Sequence, residues 1–473
     1  MQFYQLCAIL CLALQISSAA PLEPADGKVL LGAWYDRNNS DTPKAVNARL
    51  GYKPLAFFQT DIDFSGTMKP WTAPTITDQL LQQLKDTNSD ADAYLTVYPF
   101  QGLNNITDAQ LADLAARIKS LIISGRRVFL RFAPEMNGSW FVYGQQPTDF
   151  IATWKRCISY WRNALGADAS KVAFIWAPNS GNGYPWGRDV NNPGENYSPD
   201  NTTADGLQRI HQLDTNGNGI FDADDDPYLP FYPGDEFVDW VGLSMYTYGY
   251  QYPWWTNDIP LPNKFEGMLQ GIKSEDANQE WGRKPFYTYF SSPEGAPGVS
   301  AGGKPFIVAE TGAAYHYAWV NETRAQYSPP PNQTITRVQM KMAWFESFLN
   351  PTFLQKYPKL KAVCTFEFVK SEEDTWRDFT NFGLAQSNGF AAAANEVTAA
   401  FKQFANQSAA FLVFANPKAS LNSGSNSTQT SAVNSTSNSA LNSAAVSTLK
   451  SGANTGVTLN SFIVIIFVGI LFF

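Results

Sequence analysis

The chain has 473 residues, of which 44% are hydrophobic, 14% aromatic and 16% charged, with a formal net charge of −8. A chain this apolar, and this evenly interrupted, is neither disordered nor a polytopic membrane protein, and the absence of any Lys/Arg stripe argues against a nucleic-acid partner. Only two histidines occur, His211 and His316, which removes most His-based zinc sites and hydrolases built on a catalytic His, so carboxylates are the main catalytic candidates.

From the N-terminus, residues 6–16 form a short apolar run closed by Ser17, Ser18, Ala19 and Ala20, small residues that a signal peptidase accepts. Residues 1–20 are therefore expected to be a secretory signal peptide. Nine N-x-S/T sequons between Asn38 and Asn434, not counting that of Asn137, agree with secretion. With Cys7 and Cys11 in the signal, Cys157 and Cys364 remain, too few for a disulfide scaffold.

Within 21–417, short β-rich runs recur at 29–35, 55–58, 93–98, 128–133, 172–176, 238–246, 306–309 and 362–368. Apolar positions at helical spacing lie between several of them, at 107–123, 150–165, 336–349 and 389–404. Eight strand-then-helix repeats predict an α/β fold, a (β/α)8 TIM barrel, as one catalytic domain. Such barrels need about 250 residues, so about 150 more belong to loops. The Pro/Gly/Asn-rich stretches 179–235 and 248–303 would hold most of these on the C-terminal face. Cys157 is expected on the fourth helix and Cys364 on the eighth strand, both as free buried thiols.

The 128–133 run is followed by Pro134-Glu135-Met136-Asn137-Gly138-Ser139-Trp140, and the 306–309 run by Glu310-Thr311-Gly312. A lone Glu after a strand is ordinarily a helix cap or a surface ion pair. Two of them, each at a barrel strand top beside a strand-interior Arg, read instead as a catalytic pair. By alternation Glu135 shares its side with Ala133, Arg131 and Phe129, and Glu310 with Val308 and Phe306. An inward Arg131 needs an acid, and would hold one glutamate ionised while a drier setting keeps the other protonated. That division suits a retaining glycosidase, whose carboxyl groups lie about 5 to 5.5 Å apart.

Trp140, Trp186, Trp254, Trp255, Trp319 and Trp376 fall in predicted loops, where indole faces can stack on pyranose rings, Trp140 and Trp186 being best placed. Trp161, Trp240 and Trp344 read as core. Asp214, Asn216, Asn218, Asp222 and Asp225, with Gly219 at the turn, follow the ligand rhythm of an EF-hand-like loop. Eight acids and no base lie between Asp214 and Asp239, so a structural calcium is expected there, with no cofactor for catalysis. Beyond the barrel, 418–460 contains 24 Ser, Thr or Asn among 43 residues and reads as a stalk. The apolar run 461–473 then reads as a GPI-attachment signal, with Ser451, Gly452 and Ala453 as small residues for the attachment site. The expected product is a cell-surface monomer held to the membrane or wall by a lipid anchor, with a polysaccharide as its partner.

At these residues the chain resembles the family 26 glycoside hydrolases. The resemblance covers roughly 29–404 and rests on RFAPEMNGSW at 131–140, FIWAPN at 174–179, YPGDEFVDWVGLSMY at 232–246 and PFIVAETG at 305–312. It implies Glu135 as acid/base, Glu310 as nucleophile, Arg131 and Tyr246 as their positioning partners and Trp140 as a subsite wall; Asn137, by its place beside Glu135, and Asn179 and Trp186 are expected at the substrate as well. It implies an endo-acting mannanase or β-glucanase, and with the tail a fungal-type GPI-anchored member. Three positions depart from the family's mannanases: Pro134 stands where they carry His, Tyr98 replaces a His at the third strand top, and the eighth strand has Cys364-Thr365-Phe366-Glu367-Phe368 in place of a Trp. The contacts that shape the sugar subsite therefore differ. A transglycosylase would share the chemistry up to the glycosyl-enzyme, and a catalytically silent wall-binding protein would use the aromatic cleft alone.

Overall fold

The computed structural model describes residues 19–37, 40–64, 73–186, 197–249, 257–272, 284–320, 327–328, 334–372, 375–378 and 394–418. These all belong to one compact unit that includes Lys418, and a second unit, Ala419–Gly469, lies outside them. The expected signal run, most of the stalk, the GPI signal with Ser451 to Ala453, and Trp254 and Trp255 are likewise outside the described residues. Among the described residues no helix is long and apolar enough to cross a membrane.

Eight parallel strands close on themselves: β1 (Val29–Tyr35), β2 (Phe57–Asp63), β3 (Asp92–Tyr98), β4 (Val128–Phe132), β5 (Val172–Trp176), β6 (Trp240–Thr247), β7 (Phe306–Ala313) and, after two strands of a smaller sheet, β10 (Leu360–Glu367). Pairing runs in sequence order and β10 returns to β1, Leu30 facing Ala362 and Tyr35 facing Glu367, so the expected (β/α)8 barrel is present.

Alternation along the strands sets two cores. Inward lie Phe57, Tyr94, Phe129 and Trp240, with ring centroids 5.4 Å apart for Phe57 and Phe129 and 5.3 Å for Phe129 and Trp240. Outward residues meet the helices. On helix α4 (Pro147–Leu165, following α1 Pro43–Leu50, α2 Ala73–Asp86 and α3 Asp108–Ile123), the fully buried Trp154 and Trp161 pack on Phe132 of β4. Truncating either to Ala would cost about 3–5 kcal/mol. Helix α3 starts at a capping box, where Thr107 accepts from the Gln110 N–H and the Gln110 side chain accepts from the Thr107 N–H. Cys157 on α4 and Cys364 on β10 are both free and buried.

The segment before β1 seals the floor of the barrel. Trp240 Nε1 donates to the Pro21 carbonyl at 2.7 Å, Leu22 joins the inner core, and Lys359 and Lys361 at the start of β10 pair with Glu23 (2.9 Å) and Asp26 (2.6 Å). On the same side, the two-residue strand β13 (Leu412–Val413) pairs with Val29 and Leu30.

At the opposite end, β7 and β10 continue into a four-stranded antiparallel sheet of β8 (Tyr315–Val320), β9 (Tyr327–Ser328), β11 (Val369–Glu372) and β12 (Thr375–Asp378), ordered β11-β12-β8-β9. Trp319 and Trp376, expected in loops, are therefore on strands, Trp319 opposite Thr375 and Trp376 opposite Ala318. The predicted second strand ends at Phe58, whereas β2 runs on to Asp63. The cause is the polar sequence Gln59-Thr60-Asp61, which reads as a loop although Gln59 faces the barrel interior and Asp61 follows it on the same face.

Candidate active site

Both glutamates are placed by irregular backbone, Glu135 just beyond the end of β4 and Glu310 within β7. After Phe132 the chain turns through Ala133 (φ 44°) and Glu135 (φ 54°), left-handed conformations that cost non-glycine residues about 1–3 kcal/mol each and concentrate at functional sites. Neighbouring strands hold this turn, since the Ala133 N–H donates to Val97 O (2.8 Å) and the Glu135 N–H to Ala177 O (3.0 Å). Ala133 consequently joins the outer core and does not share a side with Arg131, which corrects the simple alternation.

On β7 the correction is larger. Phe306 and Val308 face outward, Phe306 lying 5.8 Å from the ring of Phe286, while Ile307 and Ala309 face the barrel interior. Val308 pairs with Leu243 but Glu310 with Ser244, so Ala309 is the extra residue of a β-bulge. The bulge resets the alternation and turns Glu310 inward, so the expected orientation is reached by a different backbone.

Arg131, fully buried, ties the site together. Its Nη1 donates to Glu310 Oε1 at 2.6 Å and its Nη2 to Ser244 Oγ at 2.8 Å. Burial alone would lower the guanidinium pKa, but Glu310, helped by Tyr94 and Glu135, raises it, so the cation is permanent. The Tyr246 hydroxyl donates to the other oxygen of Glu310 at 3.0 Å. Burial, reinforced by Glu310, holds that phenol well above its ordinary pKa, so it remains a donor.

Among the described residues no cation is in hydrogen-bond contact with Glu135. Its Oε2 accepts from Trp140 Nε1 at 2.9 Å and its Oε1 from Asn179 Nδ2 at 3.1 Å. Burial first, and the negative charge of Glu310 second, raise its pKa above the usual glutamate value, with Arg131 opposing. Two carboxyls in one barrel mouth thus have unequal surroundings.

The remaining expected residues build the acid side. Asn137, fully buried, donates its Nδ2 to Asn179 O and accepts the Asn179 N–H on Oδ1, both at 2.9 Å, a two-point clamp that presents Asn179 to Glu135. Its sequon is accordingly no place for a glycan, whereas Asn105, Asn201 and Asn406 are exposed. Trp140 lies across Gly138, where an added Cβ would fall 2.3 Å from the indole. Trp186 meets Trp140 edge to face at 5.0 Å and is only 2% exposed, so it supports the Trp140 ring and offers little face of its own.

Ser244 and Asp61 escaped the sequence reading. Ser244 lies two residues before Tyr246 on the same strand, a spacing that places both at the mouth. Asp61 lies on the unrecognised end of β2, where Trp34 Nε1 donates to its Oδ2 at 2.6 Å.

The acidic loop is folded by its own backbone donors: Asp214 accepts from the N–H groups of Asn218 and Gly219, and the fully buried Asp225 from those of Thr215, Asn216 and Asp222. Among the described residues no group of three or more His, Cys, Asp or Glu is placed to hold a metal ion, so an ion here would need the amide oxygens of Asn216 and Asn218 or backbone carbonyls besides Asp214, Asp222 and Asp225.

No family model matches the chain and no curated protein matches it. Among solved structures it is similar to the mannanase BCman of Bacillus subtilis (14% identity over 83% of this chain and 88% of that one, TM-score 0.40). A modular endo-β-1,4-mannanase of Cellulomonas fimi is similar at 15% identity, covering 82% and 72% of the two chains with a TM-score of 0.43. GH26A of Muricauda sp. is similar at 16% identity, covering 72% and 84%, with a TM-score of 0.37. At such identities and TM-scores the likeness assigns no activity and no residue role to this chain.

Proposed function

We propose that this chain is a retaining glycoside hydrolase that cleaves a β-linked polysaccharide of mannan or β-glucan type by double displacement. The observation that carries the reading is the unequal pair at the barrel mouth: Glu310 clamped by a permanent cation and a phenol, Glu135 held by neutral N–H donors and raised in pKa.

In the first step the Glu310 carboxylate forms a bond to the anomeric carbon as the glycosidic C–O bond breaks, and Glu135 gives its proton to the departing oxygen. Arg131 and Tyr246 hold Glu310 in line for attack. In the second step Glu135, now ionised, takes a proton from water while the water oxygen replaces Glu310 on the anomeric carbon, and the original configuration returns. Trp140 serves twice in this scheme, as donor to the acid and as an apolar wall for the sugar ring.

The deciding experiment incubates wild type and Glu310→Ala with mannan, mixed-linkage glucan, β-1,3-glucan and xylan and follows reducing ends, with the anomer of the first product read by NMR. Release by wild type alone, with retention, supports the reading, whereas no release from any polymer, or inversion, ends it.

Two further parts of the reading rest on sequence features. Secretion followed by GPI anchoring is proposed from the terminal runs. A structural calcium at Asp214 to Asp225 is proposed from the ligand spacing and from the density of acids around the buried Asp225.

A further inference from the structure

The mouth of the barrel contains a third carboxyl that the double displacement does not use. Asp61 continues the inward face of β2, two residues beyond Gln59, whose amide donates to Thr96 Oγ1 and accepts from Cys364 Sγ within the barrel. Asp61 is the partly open residue in an otherwise buried strand, as expected where the inward face meets the cleft. Its Oδ2 is fixed by Trp34 Nε1 at 2.6 Å, and Trp34 in turn packs on Phe366 (4.7 Å), which packs on Tyr246 beside Glu310 (5.9 Å). Its Oδ1 is buried and has no hydrogen-bond partner among the described residues. A carboxylate oxygen buried without a donor is destabilising, and a ligand hydroxyl would relieve that penalty.

We propose that Asp61 is a substrate-positioning residue, its Oδ1 accepting a hydroxyl of the sugar bound on the Glu310 side of the cleft, and that the sugar is neutral, not a uronate. The inference deepens the glycosidase reading and rests on it. Neutrality follows from the charges that face the position. Glu310 and Asp61 are both acids, Arg131 is engaged by Glu310 and Ser244, and Arg37 donates to the Asp61 carbonyl (3.4 Å). The Tyr98 phenol is held well above its ordinary pKa by burial and by Asp61 and Glu310. A sugar carboxylate would meet like charge here, whereas a hydroxyl would complete the acceptor. Burial pushes the Asp61 carboxyl up to about 6, with Arg37 and the Trp34 N–H opposing, as expected of an acid short of donors.

The test compares wild type and Asp61→Asn on mannan, mixed-linkage glucan, xylan and polymannuronate, the last differing from mannan by a carboxylate at C6. In Asp61→Asn the amide oxygen retains the Trp34 N–H, while an NH2 replaces the free acceptor. Melting should therefore be unchanged while kcat/KM on the cleaved neutral polymer falls about tenfold or more. Calorimetry with a neutral oligosaccharide and Glu310→Ala, with and without Asp61→Asn, should show weaker binding in the double variant, which a purely structural role would not produce. Activity of Asp61→Asn within twofold of wild type, or efficient cleavage of polymannuronate, overturns the inference while leaving the glycosidase reading intact. A wild type that releases nothing from any polymer overturns both.

Discussion

Arg131 of β4 and Glu310 of β7, 179 residues apart in sequence, meet across the barrel mouth with Nη1 2.6 Å from Oε1. The guanidinium is wholly buried, so each charge relies on the other. Replacing Arg131 by Met should abolish measurable turnover and destabilise the fold by about 3–5 kcal/mol, because Glu310 is left as an unpaired buried acid. Adding Glu310→Gln should restore much of the stability and none of the activity. Urea denaturation of Arg131→Met, Glu310→Gln and the double variant checks this, and additive losses would show that the pair is not coupled.

The raised pKa of Glu135 predicts the basic limb of the pH profile. As the proposed general acid it must start protonated, so kcat/KM should fall as pH rises through a value above the ordinary glutamate range. Glu135→Gln should lose about 10²–10⁴-fold on a natural glycoside and much less on a dinitrophenyl glycoside, whose leaving group needs no proton. The stability effect has the matching sign. Because the folded-state pKa is raised, ionising Glu135 disfavours the fold, a penalty absent below the unfolded pKa that grows as pH rises through the folded one. Glu135→Gln should thus raise Tm at pH 8 and change it little at pH 4.

Trp140 and Asn179 donate hydrogen bonds to Glu135, at 2.9 and 3.1 Å. Both favour its ionised form, the state needed in the second step. Asn179→Ala should therefore move the basic limb upward and lower kcat, raising the barrier by about 1.5–3 kcal/mol. Asn137→Ala, which frees the Asn179 backbone, should do the same through a residue that never touches Glu135. A pH profile of either variant superimposing on wild type would remove Asn179 from the acid's surroundings.

Thermal melts in EDTA and in excess calcium test the acidic loop. A bound structural ion should raise Tm with calcium concentration, and Asp225→Asn should lose that dependence. Coincident melts in EDTA and calcium would show that the backbone N–H groups satisfy the loop without an ion.

The barrel was legible because its outward and inward strand faces are both apolar, which gives uninterrupted β-rich runs. Arg131 was legible for a related reason, as the one cation within such a run. What the pattern could not show were departures from regular backbone. The bulge at Ala309 leaves Val308 outward and Glu310 inward, although alternation puts both on one side. The left-handed turn at Ala133 and Glu135 similarly separates two residues that a regular strand would align. Asp61 was missed because inward-facing polar side chains at a barrel mouth resemble a loop in sequence. Trp186 sits in the right place, yet its burial behind Trp140 depends on the packing of the loop after β5, which no periodicity reports.

The last described residues leave the barrel beside the first residues of β1 and β3, with Leu412 paired to Val29 and Pro417 to Ser89. Those strand starts mark the sealed floor, and the glutamates open at the other end. A support, bead or electrode coupled through Lys418 would therefore grip the protein from behind, and long polymers could thread past the front without meeting the attachment.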